Sequence, residues 1–564
     1  MLEQLRQDPL QVLEWTWKDY EPYAAELSAA ALSEANIQAW LLDTSRFAEA
    51  ANDQFNRLYV ATTVNTADET AKKRFEQFID ETQPKVLEAQ QAWKEKLLAS
   101  GLQPAGFEIP LRNFKAEADL FRAENLPLLG EEQKLSNEYD RIMGAQTVTW
   151  DGKEQTLSAL KPVFQSTDRA LREKAWRAVA ERQLADRAAI NDLWGRMLDL
   201  RLKIAANAGK EDYRAYKWQS YLRFDYTPAD CHNFHKAIEQ VVVPAATRIY
   251  ERRRKALGLD SVRPWDVDVN PHGLPPLRPY QTLDELTAGV SRIFHRVDPQ
   301  LGEYFDIMRR ENLLDLDNRK NKAPGGYCID FPINRRPFIF TNAVGLHDDV
   351  NTLLHEGGHS FHVFETAGIQ LTQLLNIGME IAEVASMSME MIAMPYLEKQ
   401  EGGFYNHAEA RRAQVEKLEE CILFWPYMAI VDAFQHWVYE NPVKAADPAN
   451  CDAAWSELWD RFIPGVDWSG LEAEKATGWH RKPHIFEVPF YYVEYGLAQL
   501  GAAQLWRNSL RDPAGAVAAY RRALALGGSK SLPELYQAAG VRLAFDAETL
   551  GQAVSLMEEK ILAD

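Results

Sequence analysis

The chain has 564 residues, is 46% hydrophobic and contains 16 tryptophans, so it can bury a large core, and its length allows several domains. Its 63 basic and 82 acidic residues give a net charge of −19. This acidic balance argues against a nucleic-acid partner, because binding to a nucleic-acid backbone requires a basic surface.

Targeting signals are not apparent in the sequence. The start, MLEQLRQDPLQVLEW, has no basic end followed by an apolar run, so no signal peptide is expected. No stretch of about 18 apolar residues occurs, so we expect no membrane span. The four cysteines (Cys231, Cys328, Cys421 and Cys451) are far apart and form no CxxC motif. They indicate reduced, mostly buried thiols of a cytoplasmic protein rather than a disulfide or a zinc knuckle.

Helical patterns dominate the first half of the chain. The stretches Val86 to Ser100 and Ala170 to Gly209 are rich in Ala, Leu, Glu, Arg and Lys, with apolar residues at three-four spacing. This pattern predicts long helices of the kind that form bundles. The stretch from Gly258 to Thr282 contains five prolines and predicts a connector between helical blocks.

One segment, YCIDFPINRRPFIFTNAV from Tyr327 to Val344, has a strong β pattern. Two β-rich runs flank a turn at Asn334 to Arg336, which predicts a hairpin or a small sheet. Helix patterns resume after it and continue to the end. We therefore predict a mainly α fold with one small β-sheet.

The motif HEGGH follows this segment directly. A helix turns by about 100° per residue, so His355 and His359 lie about 40° apart on one face. Two imidazoles in this arrangement can bind one tetrahedral zinc ion. Glu356 lies about 100° from His355, so we predict that it acts as a base on water rather than as a ligand. The alternative is a pair of structural histidines.

A third ligand must come from outside the motif. His362 lies near the same face, but three histidines spread over two turns are too stretched for a compact tetrahedron. The predicted helix at 376–394 carries Glu380, Glu383 and Glu390 among apolar residues, and a buried carboxylate requires a partner. Glu383 and Glu390 are seven residues apart and share a face, so one can bind the metal while the other supports a ligand histidine.

HEGGH followed by AEVAS, with Glu383 24 positions after His359, resembles the thimet oligopeptidase/oligoendopeptidase F family of zinc peptidases. The resemblance is to its oligoendopeptidase F and Pz-peptidase branch in particular. The segments DLDNRKNKAPGGYC, PFIFTNAVGLHDDVNTLLHEGGHSFH and HIFEVPFYYVEYGLAQLGAAQLW also agree, so the specific matches cover 315–506. The resemblance implies one Zn²⁺ per chain, Glu383 as its third ligand, and Glu390 as the residue that supports a ligand.

The resemblance also implies an architecture. It predicts two helical lobes that enclose a deep substrate channel, with a zincin-type catalytic core and the small sheet at the channel floor. Residues 1–200 would form a helical lobe that covers the channel, and 201–564 the catalytic domain with its HExxH core at 315–506. Such a channel admits short unstructured peptides, which would be cut at internal bonds. No nucleic-acid or membrane partner is expected, and the oligomeric state stays open.

A histidine and three tyrosines follow in HIFEVPFYYVEYG. Tyr492 and Tyr495 are three apart, and Tyr491 and Tyr495 four apart, so each pair shares a helical face, a pattern that is more often core than catalytic. In the resembling family, a similar segment stabilises the transition state and holds the substrate. We therefore predict catalytic roles for His484, Tyr492 and Tyr495 and a substrate contact for Tyr491, with His480 as a weaker candidate.

Gly358 and Phe340 are further candidates for substrate binding. In the resembling family the HExxH helix lies under the substrate strand, and the position of Gly358 is often glycine. The alternative is that Gly357 and Gly358 only permit close helix packing. The segment PFIFTN, which contains Phe340, is expected to be an edge strand to which a peptide can add by main-chain hydrogen bonds.

The predicted function is therefore that of a zinc-dependent oligoendopeptidase. One alternative is a metallocarboxypeptidase of similar helical fold, in which Arg481 is a candidate to fix the carboxylate of the substrate. The other is an inactive peptide-binding relative, which the presence of the base, the ligands and the tyrosines disfavours.

Overall fold

The computed structural model describes residues 9–563, which are mainly helical, as the sequence predicts. The first α-helices are α1 (Trp17–Ala29), α2 (Ile37–Val64), α3 (Glu69–Gln77), α4 (Gln83–Ser100), α5 (Glu108–Leu120), α6 (Asn125–Gly144), α7 (Lys161–Phe164), α8 (Arg169–Ala185), α9 (Arg187–Asn207), α10 (Tyr213–Ser220), α11 (Pro228–Ala237), α12 (Val243–Ala256), α13 (Leu283–Val297) and α14 (Pro299–Arg310). The later ones are α15 (His347–Glu365), α16 (Met379–Ile392), α17 (His407–Glu440), α18 (Pro442–Ala445), α19 (Pro448–Phe462), α20 (Glu472–Ala476), α21 (Pro483–Phe486), α22 (Tyr492–Ser509), α23 (Pro513–Leu524), α24 (Leu532–Ala538) and α25 (Ala547–Leu562).

The described residues form two small sheets rather than the single one expected. The strands are β1 (Thr147–Trp150), β2 (Lys153–Thr156), β3 (Leu314–Asp317), β4 (Tyr327–Phe331) and β5 (Arg336–Ala343). β1 and β2 form an antiparallel hairpin, whose turn uses Asp151 and Gly152 at positive φ. This Asp-Gly pair is the sequence signal for such a hairpin. The second sheet has the order β3-β5-β4, with β3 parallel and β4 antiparallel to β5.

Contacts divide the chain into two compact units, each built from three segments. The first unit comprises 9–118, Pro276–Ala413 and Gly501–Leu543, and the second comprises Asp119–Pro275, Gln414–Leu500 and 544–563. The sheet β3-β5-β4 and the HExxH motif belong to the first unit, whereas the histidine–tyrosine segment belongs to the second. The sequence predicts a single division of the chain, into residues 1–200 and residues 201–564. The two compact units instead each combine three separate segments.

Helix boundaries mostly follow the sequence patterns. The predicted helix at 376–394 is observed as α16, and the stretch from Gly258 to Thr282 has no α-helix. The stretch from Ala170 to Gly209 forms two helices, α8 and α9, that meet at Asp186. Gln146 and Arg182 both donate to the Asp186 carboxylate, at 2.9 Å and 2.8 Å, so side-chain hydrogen bonds hold this break.

Each unit has buried apolar side chains of its own. In the first unit, the rings of Tyr20, Phe47 and Trp93 form edge-to-face contacts within a cluster that links α1, α2 and α4. In the second unit, Val148 and Trp150 of the hairpin pack with Leu160 and Ala175. Within residues 9–563, no helix combines the length and the apolar character needed to cross a membrane.

Candidate active site

The start of α15 is held in place by one carboxylate. Asp349 Oδ2 accepts hydrogen bonds from the backbone amides of Val344, Gly345 and Leu346 at 2.8–3.0 Å. These amides precede the helix, so Asp349 links the end of β5 to the first turn of α15. A negative charge there is also favourable to the helix dipole. The HExxH motif lies one to three turns further along this helix.

The two glycines between Glu356 and His359 allow two different helices to approach α15 closely: α16 at Gly358 and α13 at Gly357. A Cβ atom at Gly358 would lie 2.5 Å from the carbonyl oxygen of Ala385 in α16. A Cβ atom at Gly357 would lie 2.5 Å from the ring of Phe294. Real side chains do not tolerate such distances, so both glycines serve helix packing. The distance at Gly358 supports the packing alternative, and its substrate contact stays a prediction.

This close packing brings three potential ligands together. One ligand atom each from His355, His359 and Glu383 lies within 4.8 Å of the others. Glu383 Oε2 is 3.5 Å from Nε2 of His355 and 4.0 Å from Nε2 of His359. Glu380 is not part of this group, although it lies one turn earlier on α16. The donor set of two imidazoles and one carboxylate matches that of catalytic metal sites.

Glu390 orients the first of these histidines. Nδ1 of His355 donates to Glu390 Oε1 at 2.8 Å. The other ring nitrogen, Nε2, therefore faces Glu383. Burial lowers the pKa of His355, but the hydrogen bond and the charge of Glu390 outweigh burial and raise the pKa to about 9. A carboxylate behind a histidine ligand fixes its tautomer and increases its basicity.

Ser386 orients Glu383 and was not singled out from the sequence. Its hydroxyl donates to Glu383 Oε2 at 3.0 Å and to the Glu383 carbonyl at 3.1 Å. Its position three residues after Glu383 in AEVAS places it on the same helical face, which is the signal that could have identified it. The Tyr520 hydroxyl donates to the carbonyl of Ala385 at 3.0 Å and so helps to position this turn of α16.

Burial also shifts the pKa values of the other ionisable residues in and next to the motif. Burial and the nearby charge of His355 lower the pKa of His359 to about 3, so its ring is neutral and can offer a lone pair. Burial raises the pKa of Glu356 to about 7, against the opposing effect of His355. Burial also lowers the pKa of His362 to about 4, and His362 is not in the ligand group. Its predicted packing role fits this position.

The sheet β3-β5-β4 packs on α15, but its edge strands are not the one predicted from the sequence. β5, which contains PFIFTN, is the central strand, so the prediction that it is an edge strand is wrong. Phe340 is completely buried and stacks on Tyr327 of β4, with ring centroids 4.8 Å apart. Its side chain therefore cannot contact a substrate. The short strand β3 was missed because four residues carry too little pattern, and it occupies the other side of β5.

The edge strand nearest to the motif is β4. Cys328 Sγ of β4 is 3.4 Å from Ser360 Oγ of α15, one residue beyond His359. Asn56 donates to the Asp330 carbonyl at 2.8 Å on the side of β4 that faces away from β5. Within the described residues β4 pairs only with β5, so its first residues retain an edge.

In the second unit, the predicted histidine and tyrosines form one cluster. The ring centroid of His484 is 4.8 Å from that of Tyr492, 6.0 Å from that of Tyr495 and 6.1 Å from that of Tyr491. Burial, followed by the charge of Lys482, lowers the pKa of His484 to about 4. Burial raises the pKa of Tyr492, so its phenol stays protonated and can donate a hydrogen bond. The predicted pairing of Tyr495 with Tyr491 and with Tyr492 is confirmed, and the catalytic roles stay predictions.

Two weaker candidates have structural contacts within the second unit. Nε2 of His480 is 2.9 Å from Asn191 Oδ1, and the His480 carbonyl accepts from the Tyr139 hydroxyl at 3.0 Å. The guanidinium of Arg481 donates to the carbonyl of Glu474 at 3.2 Å, and its burial lowers its pKa. These contacts indicate that both side chains support the loop before His484.

Similarity to known proteins agrees with this geometry. The model of peptidase family M3 matches residues 163–553, and that of the peptidase M3 N-terminal domain matches residues 14–105. The chain is 26% identical over 338 residues to the oligopeptidase PepF of Bacillus subtilis, which covers 57% of this chain and 46% of the relative. It is 22% identical over 293 residues to an oligoendopeptidase F homolog of Borreliella burgdorferi, covering 51% and 48%.

These alignments span about half of the length of the two curated relatives. The likeness to a solved structure extends further. The structure described as Pz peptidase A with inhibitor 2 superposes with a TM-score of 0.86 at 26% identity, covering 98% of this chain and 99% of that one. Because the family model of peptidase M3 matches more than half of the sequence, the chain belongs to peptidase family M3.

Proposed function

We propose that this protein is a zinc-dependent oligoendopeptidase that hydrolyses internal bonds of short, unstructured peptides. The observation that carries the proposal is the convergence of His355, His359 and Glu383 beside the buried Glu356. The names of the relatives, an oligopeptidase and an oligoendopeptidase F homolog, support it.

The residues present fit a zinc ion. Nε2 of His355 and Nε2 of His359 both lie within 4.0 Å of Glu383 Oε2. Glu390 holds the other ring nitrogen of His355, and Ser386 donates to Glu383 Oε2 itself. Three protein ligands with one open position are the arrangement of catalytic rather than structural zinc sites. When bound, zinc would supply Lewis acidity towards water and towards the peptide carbonyl.

Glu356 supplies the proton transfer. It follows a ligand histidine but lies off the ligand face, and it is 7% exposed. Its carboxylate takes a proton from the attacking water and passes it to the amine nitrogen of the leaving peptide. Burial excludes bulk water from this carboxylate, so the proton is not lost to solvent between the two steps.

The histidine–tyrosine cluster is proposed to complete the chemistry. The phenols of Tyr492 and Tyr495 and the ring of His484 contact one another. A donor from this group would stabilise the negative charge that develops on the carbonyl oxygen, and Tyr491 would contact the substrate. Two observations support this role: the segment HIFEVPFYYVEYG resembles the family, and its histidine and tyrosines cluster.

The substrate backbone is proposed to add to the free edge of β4, next to the HExxH helix, rather than to β5. An extended peptide binds an exposed strand by main-chain hydrogen bonds, and Cys328 places β4 directly on α15. Residues 1–200 are proposed to cover the channel that contains this edge.

A cytoplasmic location of the protein also stays a prediction.

The proposal is tested with defined peptides. Unstructured peptides of roughly five to twenty residues should be cut internally, whereas a folded protein should resist because unfolding it costs about 5–15 kcal/mol. Peptides with an amidated C-terminus separate the alternatives, since a carboxypeptidase requires a free carboxylate. Internal products from amidated peptides, lost on chelation and restored by zinc, would support the proposal. Release of single C-terminal residues only, or no cleavage at all, would contradict it.

A further inference from the structure

A second group of potential metal ligands lies within the second unit, on α11 and α17. It consists of Cys231, His235, Asp432 and His436, which are at most 3% exposed. Asp432 and His436 are four residues apart on α17, so they share a face directed at α11. No role in the proposed peptidase reaction uses any of these residues.

The hydrogen bonds of this group are incomplete. Nε2 of His235 contacts Asp432 Oδ2 at 2.8 Å, and Nε2 of His436 is 3.4 Å from the same oxygen without forming a hydrogen bond. Asp432 Oδ1 and both ring nitrogens of His436 have no hydrogen-bond partner among residues 9–563. A buried polar atom without a partner destabilises the fold, so several such atoms at one point favour a bound ligand.

We propose that Cys231, Asp432 and His436 bind a second divalent transition-metal ion, of which zinc fits the donors best. One ligand atom from each lies within 4.8 Å of the others, the same limit that the HExxH group meets. Sulfur, carboxylate oxygen and imidazole nitrogen together are donors that zinc accepts. The ion would provide the partners that Asp432 Oδ1 and His436 lack.

The surroundings of these three donors are buried and aromatic. His235 holds the second oxygen of Asp432 at 2.8 Å, as supporting residues do around metal ligands. The ring of His436 lies 5.2 Å from that of Phe490 and 5.7 Å from that of Trp218, so aromatic side chains enclose the site. The ion would link α11 to α17 and stabilise the second unit.

An alternative ligand set shares His436 and lies nearer to the surface. His232, His436 and Glu440 also bring ligand atoms within 4.8 Å. However, Glu440 Oε1 already contacts His232 Nε2 at 3.0 Å and accepts from the guanidinium of Arg214. This carboxylate is therefore neutralised by a cation, and its atoms have partners. We favour the inner set for that reason.

Cobalt(II) substitution distinguishes the two metal sites, because only the second one offers a thiolate. Metal-free protein loaded with cobalt should show thiolate-to-cobalt charge-transfer absorption, which should persist in Glu383→Ala and in the matched control Cys328→Ser. It should disappear in Cys231→Ser. Zinc content should fall from two equivalents per chain to one in Glu383→Ala, and the remaining ion should raise the melting temperature of that variant.

Absence of thiolate absorption in the folded wild-type protein would overturn the proposal without any variant. Loss of the second zinc in Glu440→Gln but not in Cys231→Ser would overturn the inner ligand set. Because the assay uses metal content and absorption, its outcome does not depend on peptidase activity.

Discussion

Glu390 accepts a hydrogen bond from Nδ1 of His355 at 2.8 Å, across the contact between α15 and α16. The bond joins the two helices that carry the candidate ligands, and it determines which nitrogen of His355 is available for metal binding. Glu390→Ala is expected to weaken zinc binding about 10–100-fold, the usual effect of losing a residue that supports a metal ligand. Competition with a chelator of known affinity measures this. Unchanged affinity would mean that the bond does not orient His355.

Glu383 and Glu380 are separated by one turn of α16, and only Glu383 joins the two histidines. Glu383→Ala should therefore lose the zinc ion of the HExxH site on dialysis against a weak chelator, whereas Glu380→Ala should retain that ion. Metal analysis of the dialysed proteins makes the comparison. Retention by the first variant and loss by the second would mean that α16 presents Glu380, and not Glu383, to the two histidines.

Glu356→Gln should keep the fold and the zinc but lose turnover. The amide has nearly the shape of the carboxylate but cannot accept the proton of the attacking water, so we expect kcat to fall about 10²–10⁴-fold. Peptide cleavage is measured alongside zinc content and circular dichroism. Near-normal turnover in a zinc-loaded variant would exclude Glu356 as the base.

Gly358→Ala tests the helix contact. The new methyl group would lie 2.5 Å from the Ala385 carbonyl oxygen, and overpacking of this kind costs about 1–3 kcal/mol. Gly368→Ala is the matched control, since no atom lies within 4 Å of its Cβ position. Urea unfolding of both variants measures the difference. Equal stability would show that α15 and α16 can separate without loss.

Tyr492→Phe and Tyr495→Phe test the proposed donor. A phenol that acts mainly in the transition state should lower kcat by roughly 10²–10³ with little change in KM when its hydroxyl is removed. Steady-state kinetics with one peptide give both constants. If the two variants change only the melting temperature, the cluster is a packed core, and the role in catalysis is lost.

The sequence alone determined the features that depend on helical periodicity. His355 and His359 share a face because they are four residues apart, and the contacts among Tyr491, Tyr492 and Tyr495 follow from the same short spacings. The hairpin of β4 and β5 was likewise predicted, because its turn and both strands are contiguous in the chain.

The tertiary structure decided which distant segments meet. The spacing within α16 left Glu383 and Glu390 open as ligand and supporting residue, and the resemblance favoured Glu383 as the ligand. The contact between α15 and α16 places Glu383 beside both histidines and Glu390 against Nδ1 of His355. β5 became the central strand because β3, which precedes the hairpin in the chain, pairs with it in parallel. Periodicity describes one element at a time, whereas these outcomes depend on the free energy of packing between elements, which no local pattern encodes.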